Sequence, residues 1–110
     1  MKILTSSVPF QDEKGNVLAN GSLILTLQSG TYLILSGGGQ VFGGSCIINL
    51  DSQGKLPAGT SIWASDELLS QPIFGVTICA GAKGLAPVAF TRWNVTGTSP
   101  IDVSRLPQQA

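Results

Sequence analysis

The side chains of this sequence that could do chemistry are few, and most come in pairs. Asp12-Glu13 and Asp66-Glu67 are adjacent carboxylates, and neighbours on an extended chain face opposite sides. Glycoside hydrolysis needs two carboxyls converging across a sugar. Asp66 would have to meet Asp51 or Asp102 through the fold to supply them; otherwise these are solvated turn and cap residues. Cys46 and Cys79 are the two thiols, and the chain has no histidine. That removes the commonest general base, the commonest zinc and copper ligand, and the usual partner of a Ser or Cys nucleophile. A lysine can replace histidine as base, but no motif places one here. Cys46 lies in an apolar stretch, where a thiol packs rather than reacts. The expectation is a protein that is not an enzyme.

Binding chemistry is a sharper question. Asp12, Glu13 and Asn16 put oxygen ligands around Gly15, as a calcium loop does, but the EF-hand spacing is absent and D-x-x-G is also ordinary turn chemistry. The glycines at 37–39 and 43–44 lack a following G-K-[ST] and a helix to hold a phosphate. No metal and no cofactor are expected. These glycines read instead as a flexible loop over 37–44 with Val41 and Phe42 at its centre, either a contact point or, for Phe42, core. Trp63 and Trp93 either stack on a sugar or pack inside; Trp93 alternates with Val95 and reads as core, while Trp63 leads into the Asp66 turn. Six cationic and six acidic residues give zero net charge, and Lys2, Lys14, Lys55, Lys83, Arg92 and Arg105 form no basic patch in sequence, so nucleic acid is not an expected partner. No apolar run approaches the roughly 18 residues of a membrane span. Nor does the start, Met1-Lys2-Ile3-Leu4, read as a leader.

The elements that must position these residues are short and β-rich. At 110 residues with 43% apolar content the chain suits one domain with one core. Glycine-containing turns at 12–16, 20–21, 51–54 and 81–84 separate seven strands, over 3–10, 22–28, 31–36, 45–50, 59–64, 73–80 and 88–96. Leu23, Leu25 and Leu27 alternate with Ser22, Thr26 and Gln28, the clearest strand pattern in the chain. Ser65 or Asp66 caps one helical turn. The pattern predicts an all-β, two-sheet antiparallel sandwich over 1–97, with a small barrel as the competing architecture, and an extended tail over 98–110. Strand parity turns Cys46 inward with Ile48 and Leu50 and Cys79 outward, unless a bulge reverses it; two free thiols follow. Charged residues are only 11% of the chain, against about a quarter in a usual soluble domain, and mean hydropathy is +0.31. A surface so poor in charge is expected to be covered in part by neighbours.

Several pieces resemble one family. The run from Asp12 to Gly21, Asp51-Ser52-Gln53-Gly54, Ile62 to Leu68 and Trp93 to Pro107 are similar to Ig-like or prealbumin-like sandwich domains of bacteriophage particle proteins and bacterial surface proteins. Where that family has a tyrosine-rich penultimate strand, this chain has Ile73-Phe74-Gly75-Val76. The resemblance implies a virion structural protein made in the host cytoplasm, decorating the capsid or belonging to the tail or its fibres. It would form homo-oligomers and bind other virion proteins, and the resemblance brings no catalytic residues. A carbohydrate- or receptor-binding module using Phe42 or Trp63 is the alternative. The residues expected at an interface are Ile24, Val41, Phe42, Phe90, Pro100, Ile101 and Leu106, with Leu33 or Leu35 also exposed.

Overall fold

In a computed structural model, the structure describes residues 1–12, 14–27, 31–34, 38–42, 45–69 and 71–106, apart from the side chains at 31, 32 and 42. The chain is all-β, and its described residues form nine strands: β1 Lys2–Thr5, β2 Ser22–Thr26, β3 Thr31–Leu33, β4 Gln40–Phe42, β5 Ser45–Asn49, β6 Ser61–Ile62, β7 Phe74–Cys79, β8 Pro87–Trp93 and β9 Ile101–Asp102. One sheet has the order β5-β2-β7-β8, wholly antiparallel; the other has the order β6-β1-β9; β3 and β4 form a separate hairpin. The two-sheet sandwich is therefore present. It is not purely antiparallel, because β1 runs antiparallel to β6 but parallel to β9.

Alternation along β2 builds the core. Leu23 and Leu25 point inward and meet Ile48 of β5 and Phe74, Val76 and Trp93 of β7 and β8, while the facing sheet supplies Leu4, Ile62 and Ile101. Phe10 packs on Trp93 with ring centroids 6.2 Å apart, closing the core as an aromatic pair.

The two D-x-x-G turns are copies of one device. Asp12 Oδ1 accepts from the N–H groups of Lys14 and Asn16 at 2.9 Å each, and Asp51 Oδ1 accepts from those of Gln53 and Lys55 at 2.8 and 3.0 Å. Gly15 and Gly54 hold the positive φ, 84° and 73°, that each turn requires.

The sequence misplaced three elements. The loop expected over 37–44 contains β4, whose Val41 pairs with Tyr32; glycines on both sides hid a three-residue strand. The expected tail is part of the fold through Leu106. Ile101 and Asp102 pair with Leu4 and Thr5, and a 3-10 turn follows at Val103–Arg105. The helical turn is a 3-10 turn, Ser65–Glu67, entered from Ala64, whose N–H is taken by Glu67 Oε1 at 2.9 Å. Ser65 and Asp66 lie inside it and do not cap it.

Candidate functional site

The three carboxylates that could have met in a reactive pair, Asp51, Asp66 and Asp102, are each held by partners of their own. Asp66 on the Ser65–Glu67 turn takes both Oδ atoms to Lys2 Nζ at 2.9 Å, and Oδ2 also accepts from Gly97 N–H at 3.2 Å. Partial burial pushes the Asp66 carboxyl upward, but the Lys2 ammonium and the Gly97 N–H outweigh it and hold the pKa below the ordinary value. Asp102 Oδ1 accepts from Ser7 and Ser104 N–H at 3.1 and 3.0 Å, and the Ser7 hydroxyl first, then these N–H groups, outweigh slight burial and lower its pKa too. Asp51 is occupied by its turn. Asp66 and Asp102 are ionised acceptors at neutral pH, and all three carboxylates hold backbone in place.

In the candidate calcium loop, Asp12 is committed to its own turn. The bonds from Asn16 and Lys14 take up the Asp12 carboxylate and lower its pKa; Glu13 lies outside the described residues. No cluster of three or more acidic or thiol side chains is found among those described.

Both cysteines are free, but their environments are the reverse of the expected ones: Cys79 is buried and Cys46 exposed. Cys79 keeps the outward parity expected of it, opposite Ser22, but the turn that follows folds back over that face, where Ser22 Oγ donates to Gly81 O and accepts from Gly84 N–H, and Cys79 is buried beneath it. Cys46 keeps the inward parity predicted for it, opposite Leu25, yet is exposed because the interior beside it is open. Burial on its remaining sides raises the thiol pKa above 9.0.

That opening is a cavity of about 270 Å³ at one edge of the sandwich. Its walls include Leu25, Leu27, Ile62, Phe74, Trp63 and Cys46. It lies where β5 and β6, each the outermost strand of its sheet, leave the two sheets apart. Trp63 is half-buried in this wall, between the two readings the sequence allowed.

A second apolar surface covers the outside of the four-stranded sheet. Register places Ile47, Ile24, Thr77 and Phe90 in one row across β5, β2, β7 and β8. Phe90 is 63% exposed and Ile47 49%. The Phe90 ring leans over Gly75, where a Cβ would sit 3.4 Å from its Cζ, and the Arg92 guanidinium stands 5.9 Å from the ring centroid. Val88 and Leu85 extend the patch beyond Phe90 on the same strand and the turn before it.

The expected interface residues divide accordingly. Phe90 is exposed, and Ile24 is half-buried in the same row, tucked under Gly84. Pro100, after a cis peptide bond, and Leu33 are exposed elsewhere. Ile101 is a correction: pairing with β1 buries it in the core. Val41 and Leu106 are half-buried and pack against the core, so neither projects from a loop or a loose tail. The Phe42 side chain and Leu35 lie outside the described residues. Ile47, Val88 and Leu85 were missed. Ile47 sits in the unbroken apolar run Cys46-Ile47-Ile48, where composition gives no inside or outside; Leu85 sits in a turn, where no periodicity applies.

No family model, curated protein or solved structure matches the chain.

Proposed function

We propose that this protein is a non-enzymatic structural module of a bacteriophage particle, a capsid-decorating or tail-associated sandwich that works through protein–protein contacts, with other virion proteins and further copies of itself as partners. One observation carries the interaction half of this reading. The row Ile47–Ile24–Thr77–Phe90, extended by Val88 and Leu85, is a largely apolar face on which the Phe90 ring is 63% exposed. Covering a side chain of this kind gains about 1.5–3 kcal/mol, and aromatic anchors are what interfaces concentrate. The phage half rests on the resemblance of the turn and C-terminal motifs. The held carboxylates favour a structural reading over a hydrolytic one. Sugar binding at Trp63 is less favoured, since the cavity beside it is mostly apolar and carries no acid or amide side chain, Ser45 and Ser61 being its hydroxyl-bearing lining residues.

The test is co-sedimentation of the purified chain with particles assembled from the genome that encodes it. The wild type is expected in the pellet and Phe90→Asp in the supernatant, with both equally folded by circular dichroism. A wild type that stays in the supernatant at high concentration refutes the reading.

A further inference from the structure

We propose that β5 pairs edge to edge with β5 of a second copy, antiparallel about a two-fold axis at Ile47, joining two four-stranded sheets into one of eight strands. This rests on the reading of the chain as an assembly module and names the partner of one of its surfaces.

The two edges of the four-stranded sheet are built differently. On β8, Pro87 removes an N–H, Arg92 places a charge on the outer face, and the register slip against Ile78 and Cys79 irregularises the pairing. Proline, charge and bulge are the devices by which edge strands avoid foreign partners. On β5 none of them is present. Ser45-Cys46-Ile47-Ile48-Asn49 has no charge and no proline, and all five residues pair in unbroken register with β2. Among the described residues no strand pairs with the other side of β5.

The inner face of β5, Cys46 and Ile48, is apolar up to that edge, and the outer face carries Ile47 between the uncharged Ser45 and Asn49. Ile47 is half exposed on the outside. On the inside, Cys46 has core parity yet opens on the cavity walled by Leu25, Leu27, Ile62 and Phe74. β4 adds Val41 to that wall, and the inner face of β5 is left part-open at the strand's free edge.

An uncharged strand meets its own copy without like-charge repulsion across the pair. A two-fold axis normal to the sheet keeps inner faces on one side, so Ile47 meets Ile47, Cys46 meets Ile48, and Ser45 meets Asn49 across the junction. Such isologous pairing is the commonest form of homodimer. It also places the two Cys46 side chains on the same face of the joined sheet, offset by two residues.

Sedimentation equilibrium and cross-linking with a short bismaleimide test this together. Cys79 is buried, so Cys46 is the thiol available in the folded protein. The wild type is expected to be a dimer that cross-links through Cys46. Ile47→Lys, at a half-exposed position, is expected to stay folded, raise the dissociation constant by about tenfold or more and stop cross-linking; Phe90→Asp on the opposite edge is expected to leave the dimer intact. A wild type that is monomeric, or a dimer that survives Ile47→Lys and falls to Phe90→Asp, overturns the β5 assignment. Particle binding is scored on the same variants. A wild type that binds particles as a monomer sinks the dimer and leaves the assembly reading standing; failure to bind sinks that reading by itself.

Discussion

Ser65 is the smallest side chain on which a large part of the structure near the cavity depends. Its Oγ accepts from Val95 N–H at 3.0 Å, and its own N–H donates to Val95 O at 2.8 Å. Both residues are fully buried. The pair fixes the Ser65–Glu67 turn to the chain leaving β8, and that turn carries Asp66 and Glu67 to Lys2 and the N-terminal amine. Ser65→Ala removes only an oxygen, but it leaves the Val95 N–H buried without an acceptor. An orphaned buried donor costs about 1–3 kcal/mol, and the fully enclosed site puts this one near the middle, at about 2 kcal/mol. A chain of this length has an unfolding entropy of roughly 0.2 kcal/mol per kelvin, so the melting temperature should fall by about 9 °C. Ser104→Ala is the control. Its hydroxyl accepts from Val8 N–H at 3.2 Å at an exposed position, where water replaces the lost acceptor, and the fall should be about 2 °C or less. Thermal unfolding followed by near-ultraviolet circular dichroism reads both. Equal, small shifts in the two variants would refute the argument, because they would show that burial of the Val95 N–H does not decide the cost.

The twin turns give a second comparison. Gly15→Ala meets open space at φ 84° and should cost about 1 kcal/mol, whereas Gly54→Ala places a Cβ 2.7 Å from Val17 Cγ1 and 3.3 Å from Phe10 O and should cost about 2–4 kcal/mol, both read by denaturant unfolding. Asp66 and Asp102 have folded pKa values below the ordinary 3.8, so the stability they contribute is complete above that value and is lost as pH falls below it toward the folded pKa. Asp66→Asn should therefore be less stable than wild type at pH 7, with the difference shrinking in melts below pH 3.8. Titration with a maleimide should modify one thiol in the folded protein and two after unfolding. The Cys46 rate should climb with pH through and beyond the ordinary thiol range, because burial raises its pKa.

How far the sequence could be read depended on what decided each element. The β2 alternation was legible because one face of that strand is wholly core, so leucine spacing and structure coincide. The D-x-x-G turns were legible because their hydrogen bonds are local, from an aspartate to its own following N–H groups. β9 was not legible. Ile101 and Asp102 are a strand only because they lie beside Leu4 and Thr5, far away in sequence, and two residues carry no periodicity. The parity of Cys79 was legible but its burial was not, because the cover comes from the 81–84 turn folding back onto Ser22 on the outer face. Phe90 was legible at the candidate surface because it alternates with Trp93's face. Ile101 was misjudged for the reason that hid β9, and Ile47 was passed over because an unbroken apolar run does not say which side faces out.

The placement of charge explains why so much neutral surface remains. Each of the five described carboxylates accepts a backbone N–H: Asp12 from Lys14 and Asn16, Asp51 from Gln53 and Lys55, Asp66 from Gly97, Glu67 from Ala64, and Asp102 from Ser7 and Ser104. All of these sit in turns or where strands enter and leave the sheets. In those places irregular backbone leaves N–H groups that need acceptors, and an ionised acceptor makes the stronger bond. Using its few acids this way holds together a sandwich of very short strands, but it leaves no negative charge on β2, β5, β7 or β8. A monomer would ordinarily keep acids and bases spread over such a sheet to stay apart from its neighbours. Here the acids secure the turns and strand ends, and the four-stranded sheet is left with Arg92 as its only charged strand residue, at the edge opposite β5. The same allocation that stabilises the fold therefore leaves the strands of that sheet, and β5 above all, without negative charge to oppose association.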